Sequence, residues 1–111
     1  MERIRNNRNY LNLLCTSKKR LREVLISNAS NDQINSIREI ILNILNGNLK
    51  IDNESFKKLE KKKKLLRELV KKSGGLKNRK RIIQKGGFLS FIIPAIITGL
   101  ASVASSLIDK L

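Results

Sequence analysis

From Phe88 to Ile108 the chain runs 21 residues without a charge. As a helix, at 1.5 Å per residue, such a run spans roughly 30 Å, the thickness of a bilayer's hydrocarbon core. A segment of this kind has few fates: it crosses or enters a membrane, or a protein or oligomer encloses it. Its large residues are ordered. Leu89, Ile93, Ile96, Leu100, Val103 and Leu107 follow a four-three rhythm, and Ala, Gly, Ser and Thr fill most of the remainder. Ala95 and Gly99 form a small-xxx-small pair, the pattern that lets helices approach closely in lipid. Pro94 removes one amide donor and is expected to kink or start the regular helix.

The segment before it is the opposite material. Residues 50–87 carry 15 basic and four acidic side chains, residues 1–49 carry eight and four, and residues 88–111 carry Lys110 and Asp109 alone. The whole chain has 24 Lys and Arg against nine Asp and Glu, a formal charge of +15. The expected organisation is therefore an N-terminal helical region (1–49), a basic region with a Gly-Gly end (50–87) and an apolar C-terminal helix (88–111). Self-repulsion at this charge favours an anionic partner.

Local pattern predicts an all-α chain: three to four amphipathic helices, the third strongly basic, then the apolar helix, and no sheet. Leu11, Leu14, Leu21 and Leu25 recur on one helical face with Val24 beside them, and Lys18 interrupts that stripe. Ser30 and Gln33 make a capping box ahead of Ile34, Ile37, Ile41 and Ile44, which Ile40 and Leu45 widen. Asn46-Gly47-Asn48 signals the helix exit. Asp52 or Asn53 caps the third helix, with Phe56, Leu59, Leu66 and Val70 on one face.

The residue inventory excludes much chemistry. There is no His and one Cys, so a His/Cys zinc site, an intrachain disulfide and a Ser-His-Asp or Cys-His catalytic set are impossible. No cofactor and no enzymatic activity are expected. Cys15 reads as a reduced, half-buried helix residue. The polar, charged start (Met1-Glu2-Arg3-Ile4-Arg5) predicts no secretory signal.

The cations that make the nucleic-acid candidate are Lys57, Lys58, Lys61, Lys62, Lys63, Lys64, Arg67, Lys71, Lys72, Lys77, Arg79, Lys80, Arg81 and Lys85. Phosphate neutralisation releases counterions and needs no sequence reading. Lysine dominates, and a point charge is a poor bidentate reader of guanine. Four aromatics, Tyr10, Phe56, Phe88 and Phe91, give little material for stacking on single strands. The expected partner is double-stranded DNA, bound non-specifically and condensed. A solvated lysine-rich face is the plainer alternative, and Asn78-Arg79-Lys80-Arg81 also matches a short nuclear import signal.

The apolar segment keeps three readings: a spanning or tail-anchor helix, a membrane-active peptide, or a helix buried in protein. Its membrane candidates are Phe88, Leu89, Phe91, Ile92, Ile93, Pro94, Ile96, Ile97, Gly99, Leu100, Val103 and Leu107. Lys85-Gly86-Gly87-Phe88 joins the two materials. By composition it is a hinge or helix stop; extended, it would also suit a protease with room only for glycine beside the cut.

The stretch from Gln84 to Ile97, QKGGFLSFIIPAII, resembles the junction in the precursors of the adenovirus mu core peptide and in similar small proteins of adintoviruses and Polinton-like elements. The likeness covers about residues 77–108. It implies a virion core or minor protein that condenses DNA in the host nucleus, with cleavage between Gly87 and Phe88, after Gly86-Gly87, by an adenovirus-type maturation protease. It also implies a tail released as a membrane-active or capsid-docking peptide. The protease usually prefers Met, Leu or Ile four residues before the cut, where this chain has Gln84. The mu precursors are arginine-rich and little structured, whereas residues 8–72 here read as lysine-rich helices. A tail-anchored or holin-like membrane protein with a cytosolic N-terminus, and a helical oligomerisation module using the Ile34–Ile44 stripe, remain the alternatives.

Overall fold

A computed structural model describes the backbone of residues 2–85 and 87–110 and the side chains of these residues through Val103. Among the described residues all regular structure is helical: α1 (Glu2–Asn6), α2 (Arg8–Thr16), α3 (Lys19–Ser27), α4 (Asn31–Leu45), α5 (Asn53–Glu60), α6 (Lys63–Val70), α7 (Leu76–Gln84) and α8 (Phe88–Lys110). The radius of gyration is 13.1 Å, against about 13 Å expected for a folded chain of this length.

Helices α4 and α8 are the central pair. α4 starts at the Ser30–Gln33 capping box, in which the Gln33 amide donates to Ser30 Oγ (3.1 Å) and the Ser30 amide to Gln33 Oε1 (2.9 Å). It ends at Gly47, whose φ of +77° suits a residue without a Cβ. Ile34, Ile37, Ile40, Ile41 and Ile44 are all buried, while Leu45 faces outward. α8 packs on α1, α2, α4, α5 and α7. Its buried seam is Phe88, Ile92, Ala95, Ile96, Gly99 and Val103.

That seam differs from the expected bulky stripe. Leu89, Ile93 and Leu100 are only partly buried, and the small residues Ala95 and Gly99 lie innermost. The reason is close approach. A Cβ built on Gly99 would stand 2.8 Å from Ile40 Cγ1 and 2.9 Å from its Cδ1. The small-xxx-small pair thus serves packing within the chain. Pro94 sits inside α8, and Thr98 Oγ1 donates to its carbonyl at 3.0 Å.

Two helix boundaries correct the sequence expectations. The N-terminal leucine stripe is not one helix. Ser17 and Lys18 are extended (ψ 154° and 162°), so the chain turns between α2 and α3. Leu11 and Leu14 enter the core, whereas Leu21 and Val24 stay exposed, and Ile26 replaces them inside. The basic third helix divides at Lys61-Lys62 into α5, which packs on α8, and α6, which packs on α4 and α7. Four consecutive lysines repel along a helix. The break also lets Lys62 Nζ settle 5.1 Å from the Phe91 ring centre.

One connected set of buried side chains draws on all three expected regions, from Ile4 through Leu59, Leu66 and Ile83 to Val103. The apolar helix is a shared core element rather than a rod beside the bundle. Among the described residues no single helix is long and apolar enough to cross a membrane; α7 and residues 88–103 of α8 pass that test only as a pair bent by 106°.

Candidate nucleic-acid interface

α7 is amphipathic in an unusual way. Leu76, Arg79, Ile82 and Ile83 point inward at spacings of three and four, and Lys77, Lys80, Arg81, Gln84 and Lys85 point outward. From Lys71 to Ile108 the sequence contains no acidic residue, so no carboxylate of this segment offsets the outer row. α7 lies against α3, where Lys80 Nζ donates to the Ser27 carbonyl (2.9 Å) and Gln84 Nε2 to Ser27 Oγ (2.8 Å). Between them opens a groove of about 720 Å³ lined by Ser27, Lys77, Asn78, Lys80, Arg81, Gln84 and Lys85. Gln84 and Lys85 also line a smaller depression of about 140 Å³ that reaches Lys19, Arg22 and Glu23 on α3.

The pairing with α3 was not among the sequence candidates. Its signal was the Lys18-Lys19-Arg20 run followed by Arg22, which reads in isolation as the solvated face of a front helix. Arg22 is partly committed to structure, since its Nε and Nη2 donate to the Leu14 and Cys15 carbonyls (3.2 and 3.3 Å).

The other candidates divide by environment. Lys57, Lys58, Lys61, Lys63, Lys64 and Arg67 are exposed on α5 and α6 and around their joint. Lys61, Lys62, Lys63, Lys64 and Arg67 line a second open groove, of about 430 Å³. Lys71 and Lys72 are exposed in the turn between α6 and α7. Lys62 is half-buried over Phe91.

Arg79 departs from the candidate set. It is 7% exposed. Its Nη1 donates to Asn35 Oδ1 and its Nη2 to the Lys71 carbonyl, both at 2.7 Å. Arg38 of α4 donates from Nε and Nη2 to the Val70 carbonyl at 3.0 and 2.6 Å. Two guanidinium groups thus close the C-terminal end of α6, where unpaired carbonyls attract cations. Burial, with Arg38 nearby, pushes the Arg79 pKa down, yet an arginine remains charged at neutral pH. Arg79 pins α6 to α4 and α7 and is not available to a ligand.

At the junction, Gly86 lies outside the described residues. Gly87 is exposed with φ +75°, and its carbonyl accepts from the Phe91 amide (3.3 Å) at the start of α8. Phe88 is 1% exposed. A protease that binds extended chain would have to unwind this first turn and draw Phe88 from the core. Of the membrane candidates, Ile97 is the most exposed, at 52%. The Leu107 side chain lies outside the described residues.

Cys15 is half-buried, and burial pushes its thiol pKa up while Arg22 pulls it down. A thiol so raised is protonated at neutral pH. No family model matches the chain, and no curated protein and no solved structure matches it.

Proposed function

We propose that this protein binds double-stranded DNA without sequence preference, through phosphates. The observation that carries the reading is the outer face of α7. Lys77, Lys80, Arg81 and Lys85 stand in one row beside Lys19 of α3, along grooves whose one carboxylate is Glu23. The reading assigns no base contacts, consistent with lysine-rich point charges on a helical surface. The resemblance at Gln84–Ile97 adds the setting: a core protein coating the genome of a DNA virus or virus-like element. In this reading α8 is the centre of the bundle. Membrane action by residues 88–108, or release at Gly87–Phe88, would each require the bundle to open first.

Filter binding of the full chain to unrelated duplexes of equal length, over a range of salt, tests it. The expected result is equal affinity for all duplexes and a steep fall with salt, each neutralised phosphate adding about 0.9 to the logarithmic slope. Absence of binding at low salt, or a marked preference for one duplex, overturns it. So does binding to anionic vesicles with none to DNA, the outcome that favours the membrane reading.

A further inference from the structure

Leu45 and Phe56 are large apolar side chains left at the surface, and they meet in one depression. Leu45, at the end of α4, is 42% exposed, and Phe56, on α5, is 38% exposed. Both line a groove of about 360 Å³ whose other apolar lining is Ile44, Leu59 and Leu66. Those three are buried members of the core, so here the core comes to the surface. Glu60 and Lys63 also line the groove.

Lys63 lines a second groove as well, the cationic one of about 430 Å³ at the α5–α6 joint, together with Lys61, Lys62, Lys64 and Arg67. The apolar and the cationic groove therefore adjoin at Lys63. Among the described residues no carboxylate lines the cationic one. On α6, Lys63, Leu66 and Arg67 stand one turn apart, so an apolar contact and an ionic one lie side by side.

This pairing selects among occupants. A duplex meets a protein surface chiefly with phosphates and sugars, which gain nothing from Leu45 and Phe56. A second copy of the chain brings another +15 to the same lysines. A bilayer rewards apolar side chains that protrude, whereas Ile44, Leu59 and Leu66 are recessed. What fits is a helix with apolar side chains on one face and carboxylates beside them. The first enter the groove, and the second meet Lys63, Lys64 and Arg67.

We propose that the groove between α4, α5 and α6 docks an acidic amphipathic helix of a partner protein, with Leu45 and Phe56 as its apolar contacts and Lys63, Lys64 and Arg67 as its ionic ones. The site does not depend on DNA binding, and its test is separate from the filter assay.

Fluorescence anisotropy of the full chain provides that test. The probe is a labelled synthetic peptide of about 20 residues, long enough to form a helix, with Leu and Phe at spacings of three and four and Glu on the flanking positions. A second peptide has the same composition in an order that scatters the apolar residues round the helix. Charge attraction alone treats the two alike. Phe56→Ser and Leu45→Ser alter the apolar groove. Lys63→Gln with Arg67→Gln removes two charges beside it, and Lys77→Gln with Arg81→Gln removes two from α7. All six positions are exposed, and circular dichroism checks that helix content is unchanged.

The ordered peptide is expected to bind at least about tenfold more tightly than the scattered one. Phe56→Ser and Leu45→Ser should each remove most of that preference. The Lys63/Arg67 variant should weaken the ordered peptide more than the α7 variant does. Equal affinity for both peptides overturns the proposal, since charge alone then governs. A preference that survives both serine substitutions, or equal weakening by the two charge variants, also overturns it, because the helix then sits elsewhere. So does a chain that shows no peptide preference but binds anionic vesicles, or self-associates in sedimentation, through Phe56; the groove then serves a membrane or a second copy.

Discussion

α7 and α8 are neighbours in sequence and opposites in composition, and the fold uses them in opposite ways. α7 has nine residues and turns Lys77, Lys80, Arg81 and Gln84 outward, with Lys85 just past its end. α8 is the least charged stretch of the chain and is wrapped by five helices. A polarity contrast written along the chain has become a contrast between outside and inside. The same contrast could have been resolved as two separate devices, a polycation and a membrane rod. What decides for the bundle is that the other helices supply apolar faces to cover α8: the isoleucines of α4, Leu11 and Leu14 of α2, and Leu59 of α5.

Cutting the chain after Gly87 is the strongest way to break this comparison. It removes Phe88, Ile92, Ile96 and Val103 from the core, each worth roughly 1.5–3 kcal/mol of burial. That sum is on the order of the whole stability of a small domain, about 5–15 kcal/mol. Residues 1–87 alone are expected to lose cooperative thermal unfolding by circular dichroism. A truncated chain with an unchanged midpoint would restore α8 to the status of an appendage.

Next in size is the contact between the central helices. Gly99→Ala places a methyl group against Ile40 and is expected to cost about 1–3 kcal/mol by overpacking. In an Ile40→Ala background the same change should cost nothing, or stabilise by up to about 1 kcal/mol through the better helix propensity of alanine. Urea unfolding of the four proteins measures the coupling. Equal effects in both backgrounds would show that α4 and α8 do not meet at Gly99.

The two faces of α7 sharpen the comparison on a smaller scale. Arg79→Met leaves the Lys71 carbonyl and Asn35 without their donor, at about 1.5–3 kcal/mol for hydrogen bonds to a charged group. It should leave the salt dependence of DNA binding unchanged. Arg81→Gln should do the reverse, with unfolding within about 0.5 kcal/mol of the unaltered chain and a logarithmic salt slope lower by about 0.9. If Arg79→Met lowers the slope while stability holds, Arg79 faces the ligand.

How much of this was legible follows from how local each signal is. α4 was readable from end to end, because its capping box, isoleucine spacing and Asn-Gly exit all act within a turn or two of the residues concerned. The break at Ser17-Lys18 was not, because no Gly or Pro marks it; it exists because α2 and α3 pack on different partners. Arg79 was readable in principle. Its spacing from Leu76, Ile82 and Ile83 puts it on the apolar face, but the surrounding run of cations hid that register. The fate of α8 could not be read from α8 at all. A core helix at the centre of a bundle and a membrane helix share the same composition, and only the supply of apolar faces elsewhere separates them.

The mildest probe lies where α2 meets α3. Tyr10 Oη donates to the Leu25 carbonyl at 3.0 Å, and burial pushes its pKa up to about 12. A phenol whose folded pKa lies above its unfolded value favours the folded state while it stays protonated. That contribution is complete below about pH 10, the unfolded value, and fades as pH rises towards about 12. Tyr10→Phe should therefore cost about 0.5–1.5 kcal/mol at neutral pH, the worth of one hydrogen bond. It should also flatten the loss of stability between about pH 10 and 12. Urea midpoints of both proteins across that range give the difference directly. A Tyr10→Phe chain whose alkaline loss runs parallel to that of the unaltered chain would mean the hydroxyl already faces water, and that α2 and α3 are not closed over it.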